Sequence, residues 1–133
     1  MLNPFPVMYL SLLAHAFLRI VLGSVLLYLG ARHLFRYRPE LRALIGKRLP
    51  RLAPIAAWSL GISEIVIGSL FFLGLYTQIA AIASVILSIK LLFFRGLVEH
   101  HSIPPPLFYI LVFAISISLF ITGAGLPAFD LPL

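Results

Sequence analysis

Trp58-Ser-Leu-Gly-Ile-Ser-Glu64-Ile-Val-Ile-Gly-Ser-Leu-Phe-Phe-Leu-Gly-Leu-Tyr-Thr77 is apolar enough to cross a bilayer, yet it carries a carboxylate near its middle. A charge at that depth costs at least ~2.5–3.5 kcal/mol, so Glu64 needs a partner or a wet cavity. An earlier apolar stretch carries Arg19 near its own middle. The two stretches share a short match, Arg19-Ile-Val-Leu-Gly-Ser24 against Glu64-Ile-Val-Ile-Gly-Ser69, with the opposite charges in register. This predicts a buried Arg19–Glu64 ion pair at a common depth, at the centre of the protein.

The rest of the chain supports a membrane setting. Of its 133 residues, 62% are hydrophobic and only 11% charged, more apolar surface than a small soluble domain can hide. The expected fold is all-α, an integral membrane four-helix bundle forming one domain over residues 1–133, with spans at about 7–31, 53–76, 78–94 and 107–122. No basic region precedes the first apolar run, so that run is expected to be a retained helix and not a signal peptide. The net charge of +6 does not indicate nucleic acid, because seven of the ten basic residues fall in one linker, Arg32–Leu52. The positive-inside rule places that linker in the cytoplasm and both termini outside. Without cysteine, thiolate metal sites, iron–sulfur ligation and thiol redox chemistry are excluded for this chain alone.

Helical periodicity sorts the polar residues. In the first span His15, Arg19, Gly23, Leu26, Gly30 and His33 share one narrow face, and in the second Ala57, Gly61, Glu64, Gly68 and Phe71 do. Small residues mark the faces where helices approach closely, so Gly23, Gly30, Gly61 and Gly68 are expected at helix contacts. In the linker, Leu41, Leu44, Ile45 and Leu49 form one side of a short helix after Pro39, the pattern of a helix lying among lipid headgroups. Gly74 and Tyr76-Thr77-Gln78 predict a tight hairpin that makes the second and third spans antiparallel neighbours. Lys90 is expected to snorkel to the headgroups.

For chemistry, Glu64 reads as a structural ion pair or as a proton or cation site, and Arg19 alone as a holder of an anionic ligand. His15, one turn from Arg19, reads as satisfying a helix carbonyl or as donating to a quinone carbonyl. Glu99, His100 and His101 with His33 are a weak metal or haem candidate, since adjacent histidine rings diverge, and no metal site is expected. No nucleophile–base pair or phosphate loop is present, so catalysis by the chain alone is not expected.

The motifs resemble those of the DoxX family of small prokaryotic membrane proteins. The resemblance lies in Leu18-Arg-Ile-Val-Leu-Gly23 with Gly30 before a basic residue, in Ser63-Glu-Ile-Val-Ile-Gly68 with Leu73-Gly-Leu-Tyr-Thr77, and in Thr122-Gly-Ala-Gly-Leu-Pro-Ala-Phe-Asp130. Gln78, where a basic residue is common, and Lys90 depart from the pattern. The resemblance implies a four-helix membrane bundle and an accessory or quinone-associated subunit of a membrane redox assembly, with oxidoreductase partner subunits and quinone as the cofactor. The residues leave open a small dimeric transporter using Glu64, or a scaffold that recruits a soluble partner through the basic linker.

Overall fold

The computed structural model describes residues 7–95 and 103–123, and all regular structure within them is helical. Helix α1 (Val7–Ala31) runs into a π-helical turn at Arg32–Arg36, followed by α2 (Arg38–Gly46), α3 (Ala53–Leu73), α4 (Thr77–Arg95) and α5 (Pro106–Thr122). Two of these segments, Leu10–Arg36 and Ala53–Leu73, are long and apolar enough to cross a bilayer, while Thr77–Phe93 and Pro106–Thr122 are shorter apolar helices. Seventeen residues rise about 26 Å, which suffices for a thin or locally compressed bilayer. The all-α membrane bundle read from the sequence is the architecture observed.

Two closely packed pairs build the bundle. Helix α1 lies against α3, α4 lies against α5, and the pairs touch each other more sparingly. The expected α3–α4 turn is present. Gly74 ends α3 in the left-handed conformation (φ 68°), its N–H and that of Leu75 cap carbonyls of the last turn, and Tyr76 is also left-handed (φ 48°). The two helices leaving this turn then diverge, so the chief partner of α3 is α1 and not its hairpin neighbour.

Two apolar cores follow. One joins Leu22, Leu26, Ile67, Phe71, Ala80, Ala81, Val112 and Leu119. The other, toward the basic linker, joins Leu41, Ile45, Ala53, Ala57, Leu91, Ile103 and Tyr109. Helix α2 therefore does not lie on lipid as its amphipathic pattern suggests. Leu41, Leu44 and Ile45 are buried, and α2 packs on α3, because the end of the bundle offers an apolar surface that removes them from water as well as lipid would. Leu49 stays half exposed. The outward faces carry Phe17, Val21, Val25, Ile86, Ile121 and similar side chains, as a lipid-facing surface requires.

Candidate functional site

The α1–α3 contact fixes where Glu64 can reach. A Cβ on Gly30 would lie 2.9 Å from both the Glu64 Cβ and the Ile65 amide nitrogen, and one on Gly68 would lie 2.8 Å from the Leu27 nitrogen. These distances are below any ordinary contact, so the two backbones meet where only hydrogen fits. The sequence-predicted packing glycines thus lie at the contact, with Gly23 against Gly68 and Phe72, and Gly61, less tightly, against Leu34.

This contact runs antiparallel, and that corrects the expected ion pair. Gly23 faces Gly68 and Phe71–Phe72, Gly30 faces Glu64–Ile65, and Leu34 faces Gly61, so Arg19 comes level with the Gly74–Tyr76 turn. At 1.5 Å per residue it lies about 16 Å along the bundle from Glu64. The internal match implies a common depth, but matching segments in antiparallel helices carry their charges to opposite ends of the match. Arg19 is buried (2% exposed), away from Glu64. His15 is further still from Glu64, and its Nδ1 pairs with the Ser11 carbonyl at 2.5 Å, the plain helix-carbonyl contact.

The partner of Glu64 is His33. Its Nδ1 lies 2.6 Å from Glu64 Oε2, with both side chains 1% exposed. His33 reaches inward from the π-helical turn, where Tyr37 donates its N–H to the Arg32 carbonyl five residues back. The wide turn is braced outside by Arg32, whose guanidinium stacks on the Tyr28 and Tyr37 rings at 5.5 and 4.8 Å. π-Turns of this kind recur at functional sites. The expected grouping of His33 with Glu99, His100 and His101 does not describe it: His33 is paired with Glu64, and the other three lie outside the described residues. The pair was nonetheless visible in principle, since both residues sit on the glycine stripes and running those stripes antiparallel brings them together.

Beside the pair lies a cleft of about 620 Å³, within the range of small-molecule sites. It opens between α3 and α4, where the hairpin diverges, and α2 closes one end. Its walls are chiefly Leu60, Ile67, Ile86, Leu87 and Leu91, with His33, Ser59, Ser63, Lys90 and Tyr109 as the polar lining. Both serine hydroxyls donate to carbonyls of their own helix, Ser59 to Ala56 and Ser63 to Leu60. Lys90 is exposed and borders the same cleft as His33, where the sequence suggested only headgroup contact. Arg95 donates to the carbonyls of Ile103 (2.6 Å) and Pro104, holding the end of α4 to the start of α5 beside Tyr109. Three buried polar atoms have no hydrogen-bond partner among the described residues here: His33 Nε2, Glu64 Oε1 and the Tyr109 hydroxyl. Orphaned buried groups are costly unless a ligand or water completes them.

The cleft does not coincide with the ligand position expected from the sequence, between α1 and α3 beside His15, Arg19 and Glu64. The stripe shared by α1 and α3 is closed by glycine contacts and has no room for one. The space lies along the neighbouring face of α3, formed by Ala56, Leu60, Ser63 and Ile67. Tyr109, which the sequence reading did not single out, joins the site because α5 packs on α4, and its aromatic-rich surroundings gave no pattern by which to find it.

A model of the DoxX family matches residues 14–96. The chain belongs to the DoxX family. The DoxX match contains His33, Glu64, Lys90 and Arg95, whereas Tyr109 lies beyond it. No curated protein and no solved structure matches the chain. Family membership together with the apolar helices makes this a small membrane protein in contact with the lipid bilayer.

Proposed function

We propose that this DoxX protein is an accessory subunit of a membrane redox assembly that holds a quinone in the α3–α4 cleft. The observation that carries the reading is that His33 and Tyr109, two polar residues in the lining of a chiefly apolar cleft, bury an Nε2 and a hydroxyl with no hydrogen-bond partner among the described residues. A quinone needs that combination: an apolar channel for ring and tail, and a few polar groups for its oxygens. Oxidoreductase partners supply the electrons in this reading, and the chain supplies the binding site. The basic linker, with Arg42, Lys47, Arg48 and Arg51 exposed, faces the cytoplasm under the same proposal. The test is to purify the protein in mild detergent, extract it for quinone by mass spectrometry, and titrate it with ubiquinone-1. Neither co-purified quinone nor saturable binding on addition would remove the reading.

One observation favours a second reading. A buried titratable pair beside a cleft, His33–Glu64, is also what a proton-coupled exchanger needs. Proton movement into proteoliposomes driven by a solute gradient, lost in Glu64→Gln, would favour exchange over accessory binding.

A further inference from the structure

We infer that the junction of the π-helical turn, α2 and α3 binds the headgroup of an anionic phospholipid, held by Arg38 above Trp58 with Arg32 and Arg36 beside it. This site is on the outer surface of the bundle and is independent of the α3–α4 cleft.

The site begins with two ring stacks on consecutive residues. The Arg38 guanidinium lies 4.3 Å over the Trp58 ring, and those of Arg32 and Arg36 lie 4.8 and 6.0 Å from the centre of the Tyr37 ring. Tyr37 and Arg38 are neighbours in the chain, so the three guanidinium groups gather at one place. A ring fixes a guanidinium by its face and leaves the N–H donors free at its rim, in the plane that suits a phosphate. Arg36 and Arg38 are exposed, and their side chains make no hydrogen bond or ion pair with another described residue. Arg32 spends two donors on the Tyr28 and Tyr37 hydroxyls. Glu40 is the one acid of the linker, so the cluster keeps an excess of positive charge.

Depth, and the surface below the cluster, indicate the partner. Trp58 is the sixth residue of α3, about 8 Å from the start of a helix long enough to span the hydrocarbon core. That is the interfacial level where indoles collect. One and two turns further in on the same face, Ile62 and Val66 are 44% and 50% exposed. An apolar stripe therefore runs from beneath the Arg38 guanidinium toward the bilayer centre. A phospholipid matches both parts, with its phosphate at the guanidinium and an acyl chain along the stripe. A soluble acidic partner would use the arginines and leave the stripe uncovered. Phosphatidylcholine offsets its phosphate with a choline cation, whereas phosphatidylglycerol keeps its negative charge, so the arginines favour the second.

Trp58 is the only tryptophan of the chain and so reports on its own lipid neighbours. The full chain is reconstituted at low ionic strength in phosphatidylcholine bilayers that contain a fraction of lipid brominated on its acyl chain. Quenching of Trp58 fluorescence is then compared for brominated phosphatidylglycerol and brominated phosphatidylcholine. Phosphatidylglycerol is expected to bind beside Trp58 about fivefold more tightly, the effect of one arginine near the membrane surface. Arg38→Gln should bring that ratio close to one, and taking a ratio cancels any change in indole exposure when the guanidinium is removed. Arg42→Gln removes an exposed arginine of α2 that stacks on no ring among the described residues, and should leave the ratio unchanged. Equal quenching by the two lipids overturns the inference and leaves the arginines to a soluble acidic partner. An Arg42→Gln protein that loses as much preference as Arg38→Gln also overturns it, because the attraction would then belong to the diffuse charge of the linker and not to a site.

Discussion

Replacing His33 by leucine strands the Glu64 carboxyl, and the structure sets a ceiling on the cost. With His33 gone, Oε2 loses its 2.6 Å partner and Oε1 already has none among the described residues. The group then neutralises by taking up a proton. Protonating a carboxyl of ordinary acidity (about 4.3) at pH 7 costs about 3.7 kcal/mol, which bounds the loss. Glu64→Leu leaves a neutral imidazole with Nδ1 unmet, a loss of ~1–3 kcal/mol. His33→Leu with Glu64→Leu removes both groups and fills similar volume with apolar atoms, so it should lie close to the native protein. With the double variant near native, the coupling energy of the cycle is the sum of the two single losses, up to about 5–7 kcal/mol, read by reversible unfolding in mixed micelles followed by far-ultraviolet circular dichroism. The same cycle with Arg19→Leu and Glu64→Leu should be additive, because those residues are about 16 Å apart along the bundle. Coupling in the arginine cycle and additivity in the histidine cycle would refute the antiparallel register and the pairing built on it.

Three further outcomes follow from the same contacts. Gly30→Ala should destabilise by ~1–3 kcal/mol, since its methyl would meet the Glu64 Cβ and the Ile65 nitrogen at 2.9 Å and the helices would have to part; unchanged thermal stability would show that α1 and α3 are not so close. Tyr109→Phe removes a buried hydroxyl with no partner among the described residues, so the ligand-free protein should be as stable or up to ~1 kcal/mol more stable, while ubiquinone-1 binding weakens several-fold by isothermal titration calorimetry. Ala43→Cys in this cysteine-free chain should resist an impermeant thiol reagent added outside intact cells and react once the membrane is opened; labelling from outside would invert the topology.

Much of the fold was legible because bilayer length and helical period act on single segments. The apolar runs gave the helices, and the small-residue stripes gave the faces that touch: Ala57, Gly61, Glu64, Gly68 and Phe71 are all buried. The site was less legible because it depends on how two faces slide past each other. Arg19 and Glu64 share a motif and opposite charge, and both facts are independent of helix direction. His33 and Glu64 share neither, and only the antiparallel contact at Gly30 brings them together. The cleft was hidden for a related reason. Gly74 predicts a turn, but nothing local to it specifies how far α3 and α4 diverge beyond that turn, which depends on the hold of α1 on α3 and of α5 on α4. Helix α2 shows the same limit, since an apolar stripe looks alike whether lipid or protein covers it.

The central claim is that a ligand occupies the α3–α4 cleft beside His33 and Tyr109. Photolabelling with an azido-quinone in nanodiscs, followed by peptide mass spectrometry, tests it most directly. The account predicts adducts on Leu60, Ser63, Leu87 or Leu91, abolished by excess ubiquinone-1. Adducts confined to lipid-facing Phe17, Val21, Val25 or Ile121, and unaffected by that competitor, would contradict it.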